Sequence, residues 1–344
     1  MFQHIMTGDS WISFPKLLPN TGLRFNINST AFSIGDFEIK WYGIMLCLAI
    51  LACLILGVTS CKKYNIKQDD VLDYVLFALP AAIVGARLYY VIFNFSLYKN
   101  DLSSIFDVRS GGLAIYGGII GAVIAIVCVS LYKKHSFLHI MDFGIIFIPL
   151  GQAIGRWGNF FNQEAYGSVT SMPWGMTGNV IEQEMLAQGH DAGSLVHPTF
   201  LYESLWCFAL FAFLMVYSRK WKKVHGECLA LYMIFYGIER ALVEGLRTDS
   251  LYIGSTNIRV SQLLSIILIV FGITMFIDSR RRFKKEQAEV LDTEPVDSGL
   301  SSVIERYDAA LAEDDANAQE VELISNQNDE IEAYNDDVTN EDNT

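Results

Sequence analysis

The stretch IMDFGIIFIPLGQAIGRWG, residues 140–158, decides how many times this chain crosses a membrane. It is apolar for most of its length, but Pro149 and four glycines interrupt it, and Asp142 and Arg156 place a charge near either end. As a helix it is long enough to cross a hydrocarbon core of about 30 Å, where the backbone must satisfy its own polar groups. Six more apolar runs of similar length surround it, at about 41–61, 71–93, 113–132, 200–217, 226–246 and 260–277. Counting residues 140–158 as a span gives seven, and this count sets the side on which the following loop, 159–199, emerges.

Composition supports the membrane reading. Of 344 residues, 52% are hydrophobic and 18% charged, with a mean hydropathy of +0.30, which excludes an ordinary soluble domain. The formal net charge of −13 is unevenly placed. Residues 286–344 hold nearly all their charge as Asp and Glu against a single base, Arg306, so this tail carries roughly −18 and the preceding residues roughly +5. The tail is low in apolar content and reads as disordered and cytoplasmic, apart from a short helical stretch at 302–311. The six cysteines show no CxxC pair and no Cys/His spacing, so neither a disulfide framework nor a metal site is expected. The first twenty residues lack a basic segment followed by a continuous apolar run, so no cleavable signal peptide is expected.

Lysine and arginine set the sidedness. Lys62, Lys63 and Lys67, then Lys133 and Lys134, then Arg219, Lys220, Lys222 and Lys223, and finally Arg280, Arg281, Arg282, Lys284 and Lys285 fall at alternate ends of seven spans. The opposite connections hold only Lys99, Arg109, Arg156, Arg247 and Arg259. The positive-inside rule then places the N-terminus outside and the C-terminus in the cytoplasm. The fold class is therefore all-α: a polytopic membrane protein with seven transmembrane helices. An extracytoplasmic segment (1–40) precedes the membrane core (41–285), and the acidic tail (286–344) follows it.

Ionisable groups at membrane depth face a bundle interior or a wet cavity, and mark function. Here they are Arg87, Asp142, Arg156, Glu203, Glu239, Arg240, Glu244 and Arg247. Arg240, Glu244 and Arg247 are spaced by four and then three, which puts them within a sector of about 60° of a helix. The middle carboxylate would bridge two guanidinium forks, an arrangement suited to a phosphodiester and equally to a structural ion-pair seam. A second concentration is GRWGNFFNQEAYG, residues 155–167, with Arg156, Asn159, Asn162 and Glu164 among glycines. It suits a lipid-headgroup pocket or a polar helix end. In HPTFLYES, residues 197–204, Pro198 suits a helix start, His197 sits beside it, and Glu203 lies further inside. In RSGGLAIYGGIIGA, residues 109–122, the glycines permit close helix packing, and the Tyr116 hydroxyl between them needs a partner.

GRWGNFFNQEAYG resembles the signature segment of prolipoprotein diacylglyceryl transferases. The resemblance continues through WYG at Trp41 to Gly43, the glycine-rich third span, Asp142, HPTFLYE and the RxxxExxR pattern of the sixth span, covering about 34–277 without the tail. It implies transfer of the diacylglyceryl group of phosphatidylglycerol to the lipobox cysteine of a preprolipoprotein signal peptide, forming a thioether and releasing glycerol phosphate. This would be the first step of lipoprotein maturation, at the outer side of the bacterial cytoplasmic membrane. The matching positions are Tyr42, Arg156, Asn159, Glu164, Gly167, Arg240, Glu244 and Arg247, with Asp142, His197 and Glu203 as supports. One departure concerns proton transfer: some members carry a histidine, proposed as the base, where this chain has Tyr116.

Such a reaction must stabilise a departing phosphate and take a proton from a thiol of pKa about 8.5. Arg156 and Arg240 suit the first need, with Arg247 and Glu244 orienting the second arginine and Asn159 donating to the headgroup. For the second, Tyr116, Glu203, Glu244, His197 and a phosphate oxygen all stand as candidates. The catalytic set is thus Arg156, Arg240, Tyr116, Glu244, Arg247 and Glu203. Tyr42, Asn159, Glu164, Gly167, His197 and Asp142 join the two arginines in binding the donor. No cofactor is required and no nucleic-acid partner is expected. The loop 159–199 would gate access of the peptide. A non-enzymatic lipid-binding or transport bundle is the competing reading, although no internal repeat is visible; an unrelated headgroup transferase, needing no thiol, is a third.

Overall fold

The computed structural model describes residues 10–17, 24–35, 37–99, 101–107, 111–248, 252 and 259–293. The readings of the first nine residues, of Arg109 and of the tail beyond residue 293, with its disorder and its helix at 302–311, fall outside these residues. The chain divides into a unit from Met1 to Arg281 and another from Arg282 to Thr344. The described part of the second unit is helical as far as Thr293, so the helix runs past the expected boundary at 286.

In chain order the elements begin with β1 (Trp11–Ser13), β2 (Phe25–Asn26), β3 (Thr30–Ile34) and β4 (Phe37–Lys40). Helices α1 (Trp41–Ser60), α2 (Gln68–Phe93), α3 (Ile115–Lys133) and α4 (Phe137–Asn162) follow. After β5 (Thr177–Gly178) and the short α5 (Asn179–Ala187) come α6 (Thr199–Lys220), α7 (Glu227–Leu246) and α8 (Val260–Thr293). Among the described residues six helices are long and apolar enough to cross a membrane: α1, α2, α3, α4, α6 and α8. α7 is as long as α1 but carries Glu227, Glu239, Arg240 and Glu244.

The chain is mostly helical, and the expectation of an all-helical fold is corrected outside the long helices. β1 pairs antiparallel with both β2 and β5, and β3 with β4 forms a hairpin. Short runs such as WIS and TAFSI, rich in β-branched and aromatic residues, satisfy their backbones by pairing across segments. The β1–β5 pairing places the segment before α1 at the same end of the bundle as the segment after α4. An even number of crossings must therefore lie between them, which α1 to α4 supply. α4 runs unbroken through the buried Pro149 to Asn162. The connection expected from residue 159 therefore starts later, and Arg156, Asn159 and Asn162 are helical. The helix stops at Gln163, which takes a left-handed conformation at φ 52°.

α7 runs alongside α4. Its start is held by Asp142, whose carboxylate accepts from the backbone N–H groups of Gly226 (2.7 Å) and Leu229 (2.9 Å). At its other end the Leu246 carbonyl accepts from Ser168 N–H (2.7 Å), just beyond α4. A cluster of buried apolar side chains, including Phe143, Ile146, Leu210, Leu214 and Cys228, packs α4, α6 and α7 together near the Asp142 end. A second cluster, with Tyr166, Met176, Ile181, Val196 and Phe200, forms the core of the cap at the opposite end.

Close backbone approach joins α2 to α3. A Cβ on Gly121 would run into the Ala81 carbonyl, and one on Gly85 into the Gly117 carbonyl. The connection between these helices wraps Arg87. This buried guanidinium donates to the carbonyls of Ile105 (2.7 Å), Gly111 (2.8 Å), Gly112 (3.0 Å), Ser104 (2.7 Å) and Asp107 (2.8 Å). Its N–H groups are thereby used in holding a loop. We expect Gly121→Ala to lower the melting temperature in detergent through overpacking of about 1–3 kcal/mol. Gly144→Ala, whose new methyl meets nothing within 4 Å, should leave it unchanged.

Candidate functional site

Three helices contribute side chains at i, i+4 spacing to one interior. α4 supplies Gln152 and Arg156, α6 supplies Glu203 and Cys207, and α7 supplies Tyr232, Tyr236, Arg240 and Glu244. Gln152 donates to the Tyr232 hydroxyl at 2.9 Å, and Tyr232 stacks on Tyr236 at 5.4 Å between centroids. Beside this polar seam runs a chain of alternating charges. Arg156 Nη1 lies 3.1 Å from Glu203 Oε2, Arg240 Nη1 3.0 Å from Glu203 Oε1, and Arg240 Nη2 2.7 Å from Glu244 Oε2.

Glu203 has no solvent exposure, so two guanidinium groups on two other helices offset the cost of burying its charge. The arginines are not fully enclosed: their side chains are 22% and 19% exposed. Arg156 makes this one ion pair and no hydrogen bond among the described residues, leaving donors of its fork unspent. The site can thus offer N–H groups to an anion while its own charges stay compensated.

The sequence spacing placed Glu244 between Arg240 and Arg247, and the structure shows its pair with Arg240. Glu203, which the spacing did not single out, bridges Arg156 and Arg240. α7 ends at Leu246, and Arg247 follows with extended backbone (φ −71°, ψ 146°), so the helical register does not reach it. Arg247 pairs through its backbone with Gly167, and it lies within electrostatic reach of Glu239. Gly167 is needed there for space, since a Cβ would come within 2.8 Å of the His197 Cβ.

The remaining expected residues fall into two groups. Near Arg156, the Tyr42 ring lies against Gly158, where a Cβ would meet its Cδ2 at 2.5 Å, and Trp41 stacks on Phe161 at 4.8 Å. Asn159 is buried one turn from the end of α4. Glu164 follows the helix and accepts from Asn162 Nδ2 at 3.1 Å. His197 precedes α6; its Nδ1 lies 3.1 Å from the Tyr202 hydroxyl, which in turn accepts from Trp174 Nε1 at 2.5 Å. Asp142 belongs to the other group. It lies fourteen residues before Arg156 on α4, about 21 Å along the axis, and there it caps α7 and pairs with Lys222 at 2.9 Å. Its carboxylate is consumed at the opposite end of the bundle and does not join the arginines. Tyr116 stands 43% exposed at the start of α3, and its hydroxyl has no hydrogen-bond partner among the described residues.

Two side chains escaped the sequence reading of the site. Gln163 is buried and its amide binds Ser10 Oγ (2.8 Å), Asn179 Oδ1 (2.9 Å) and Val180 N–H (3.1 Å), tying the N-terminal segment to α4 and α5. No local signal marks it, because one partner lies at the far N-terminus. Glu239 was noted only as an ionisable group. It is buried, neither of its carboxylate oxygens has a hydrogen-bond partner among the described residues, and it lies within electrostatic reach of Glu203, Arg156 and Arg240.

Breaking a buried ion pair by removing one partner costs about 3–5 kcal/mol. Glu203→Gln should accordingly melt well below the parent in detergent, with Glu203→Asp recovering part of the difference. A pH effect follows from His197, which burial pulls below the usual histidine value. The fold favours the neutral ring, whose Nδ1 lies within hydrogen-bond distance of the Tyr202 hydroxyl. That contribution is present above about pH 6.5 and is lost as pH falls through the lowered value. Melting temperature should decline on acidification over this range, and His197→Gln should flatten that part of the profile.

The profile of the family described as prolipoprotein diacylglyceryl transferase matches residues 29–278. The phosphatidylglycerol–prolipoprotein diacylglyceryl transferase of Finegoldia magna is 46% identical over 259 residues, covering 75% of this chain and 98% of that protein. The enzyme of the same name from Clostridioides difficile is 39% identical over 263 residues, covering 76% of this chain and 100% of the relative. For that of Clostridium kluyveri the identity is 45% over 255 residues, with 74% and 98% covered. The signature segment around Arg156, the HPTFLYE start of α6 and the polar stretch of α7 all fall inside the matched region, and the chain belongs to the prolipoprotein diacylglyceryl transferase family.

Proposed function

We infer that this protein transfers the diacylglyceryl group of phosphatidylglycerol to the cysteine thiol of a prolipoprotein, forming a thioether and releasing glycerol phosphate. Membership of the family supports the reaction. The observation that carries it to particular residues is the pair of arginines, Arg156 and Arg240, joined across the buried Glu203. A leaving phosphate needs donors fixed before the reaction, and two guanidinium groups anchored on separate helices cost little reorganisation as charge develops.

In this reading Arg156 directs its unspent donors at the donor phosphate. Arg240, steered by Glu203 and Glu244, takes the other side of the phosphate, and Arg247 supports it. Asn159 and Glu164 meet the headgroup. Tyr42 closes the wall beside Gly158, while Gly167 and His197 shape the floor under the end of α7. Asp142 acts on the site only by fixing the start of α7.

The protein is a multi-pass membrane protein, and in this reading α7 is its seventh span, with its charges turned into the bundle. The arginine site lies toward the end that carries β1, β5 and α5. The lysine-rich connections cluster at the other end, which the positive-inside rule assigns to the cytoplasm of a bacterial cell. The donor enters laterally from the outer leaflet. The lipobox peptide approaches along the membrane from the same side, past the segment between α4 and α6.

Purified protein in detergent, given phosphatidylglycerol and a lipobox peptide, should release glycerol phosphate and lipidate the peptide. Arg156→Ala should reduce kcat/KM about a hundredfold, the common effect of deleting one preorganised donor. A peptide with serine in place of cysteine should give no product. Release of glycerol phosphate without a thiol would point to a headgroup transferase. No turnover under conditions where a relative works would favour a lipid-binding or transport bundle.

A further inference from the structure

The chain of ion pairs leaves over one acid group of the interior, Glu239, next to Arg240 on α7. Its side chain is 2% exposed, and neither oxygen has a hydrogen-bond partner among the described residues. The other two carboxylates are committed: Glu203 to Arg156 and Arg240, Glu244 to Arg240. Glu239 lies one helical turn beyond Tyr236, on the seam that Gln152, Tyr232 and Tyr236 form between α4 and α7. Arg156, Arg240, Arg247 and Glu203 all lie within its electrostatic reach. Burying such a group without partners is unfavourable. A core that satisfies Asp142 and Arg87 so fully, yet leaves this carboxyl with two open acceptors, holds it ready for a group that arrives with the substrates.

We propose that Glu239 accepts the proton of the attacking cysteine thiol. This rests on the transfer reaction inferred above and supplies the base it lacks. The sulfur forms its bond to the glycerol carbon as the bond from that carbon to the phosphate oxygen breaks. The electron pair of the broken bond stays on the phosphate, and the thiol proton moves to a Glu239 oxygen. Glycerol phosphate leaves as a phosphomonoester, and the proton passes to it or to water before the next cycle.

Charge and position agree with this role. Arg156, Arg240 and Arg247 balance Glu203, Glu239 and Glu244 in number, and the proton that Glu239 takes from the thiol offsets the second negative charge that develops on the departing phosphate. The attacked carbon lies on the acyl-chain side of the phosphate, and Glu239 precedes Arg240, further from the outer end of α7. The other candidates are less well placed. Glu203 and Glu244 are occupied by arginines, His197 Nδ1 faces Tyr202, and Tyr116 stands on α3, outside the seam.

The test uses full-length Glu239→Gln with two peptides, identical except for cysteine or selenocysteine in the lipobox. A selenol is ionised at neutral pH and needs no base. With the cysteine peptide, kcat should fall about a hundredfold, as for loss of a general base, and should rise again as the pH approaches the thiol value of about 8.5. With the selenocysteine peptide it should stay within a few-fold of the parent. Glu239→Asp should recover part of the cysteine rate. Both peptides are measured on one preparation, so a partly folded sample scales both rates and leaves their ratio intact. Equal losses with the two peptides, or no loss with cysteine, would overturn the assignment. Failure of the parent enzyme to lipidate the cysteine peptide would overturn the reaction itself, and is distinguished by being the parent's failure.

Discussion

A carboxylate with no access to water must be neutralised where it lies, and Glu203 sets that condition for three helices. Its two oxygens face guanidinium groups from α4 and α7, so the rotation and height of both helices against α6 are fixed by the need to keep a buried charge paired. The same demand recurs at the other end. Asp142 holds the first N–H groups of α7 together with Lys222, and Glu227 pairs with Arg280 of α8 at 2.8 Å. α7 is too polar to be placed by hydrophobicity alone, and these contacts position it. The result is rigidity: the guanidinium groups are set by the fold itself.

The two deeply placed arginines show how differently one residue type is used. Arg87 spends its donors on backbone carbonyls of the connection between α2 and α3 and so acts as a peg for a loop. Arg156 has one carboxylate to answer to and keeps donors in reserve. In sequence both are single arginines near the end of an apolar run. Depth in a membrane therefore marks an arginine as consequential without saying whether it serves structure or chemistry; the count of its unspent donors does.

Most of the bundle was legible because lipid imposes a length and a composition on any crossing segment. α4 was legible in spite of Pro149, since basic residues alternate regularly only when it is counted. The arginines and Glu203 stood out for the same reason, being charges where charges are costly. The partnering was not legible. Spacing put Arg247 on the face of Glu244, but periodicity carries no information on where a helix stops, and α7 stops one residue too soon. Asp142 was grouped with the site by motif although it sits about 21 Å away along α4. Gln163 and the short strands escaped because their partners are distant in sequence, and two- or three-residue strands leave almost no pattern.

The pairing of β1 with β5 has a consequence for biogenesis. The strand at Ile12 precedes its partner at Gly178 by four long helices, α1 to α4, so it is synthesised before all of them and the partner after. The cap at this end of the bundle is thus a structure of high contact order, because the β1–β5 edge joins segments far apart in the chain. Insertion order and closure of the cap are coupled through this one strand: the sheet is completed only when β1 meets β5, after α1 to α4 have been made.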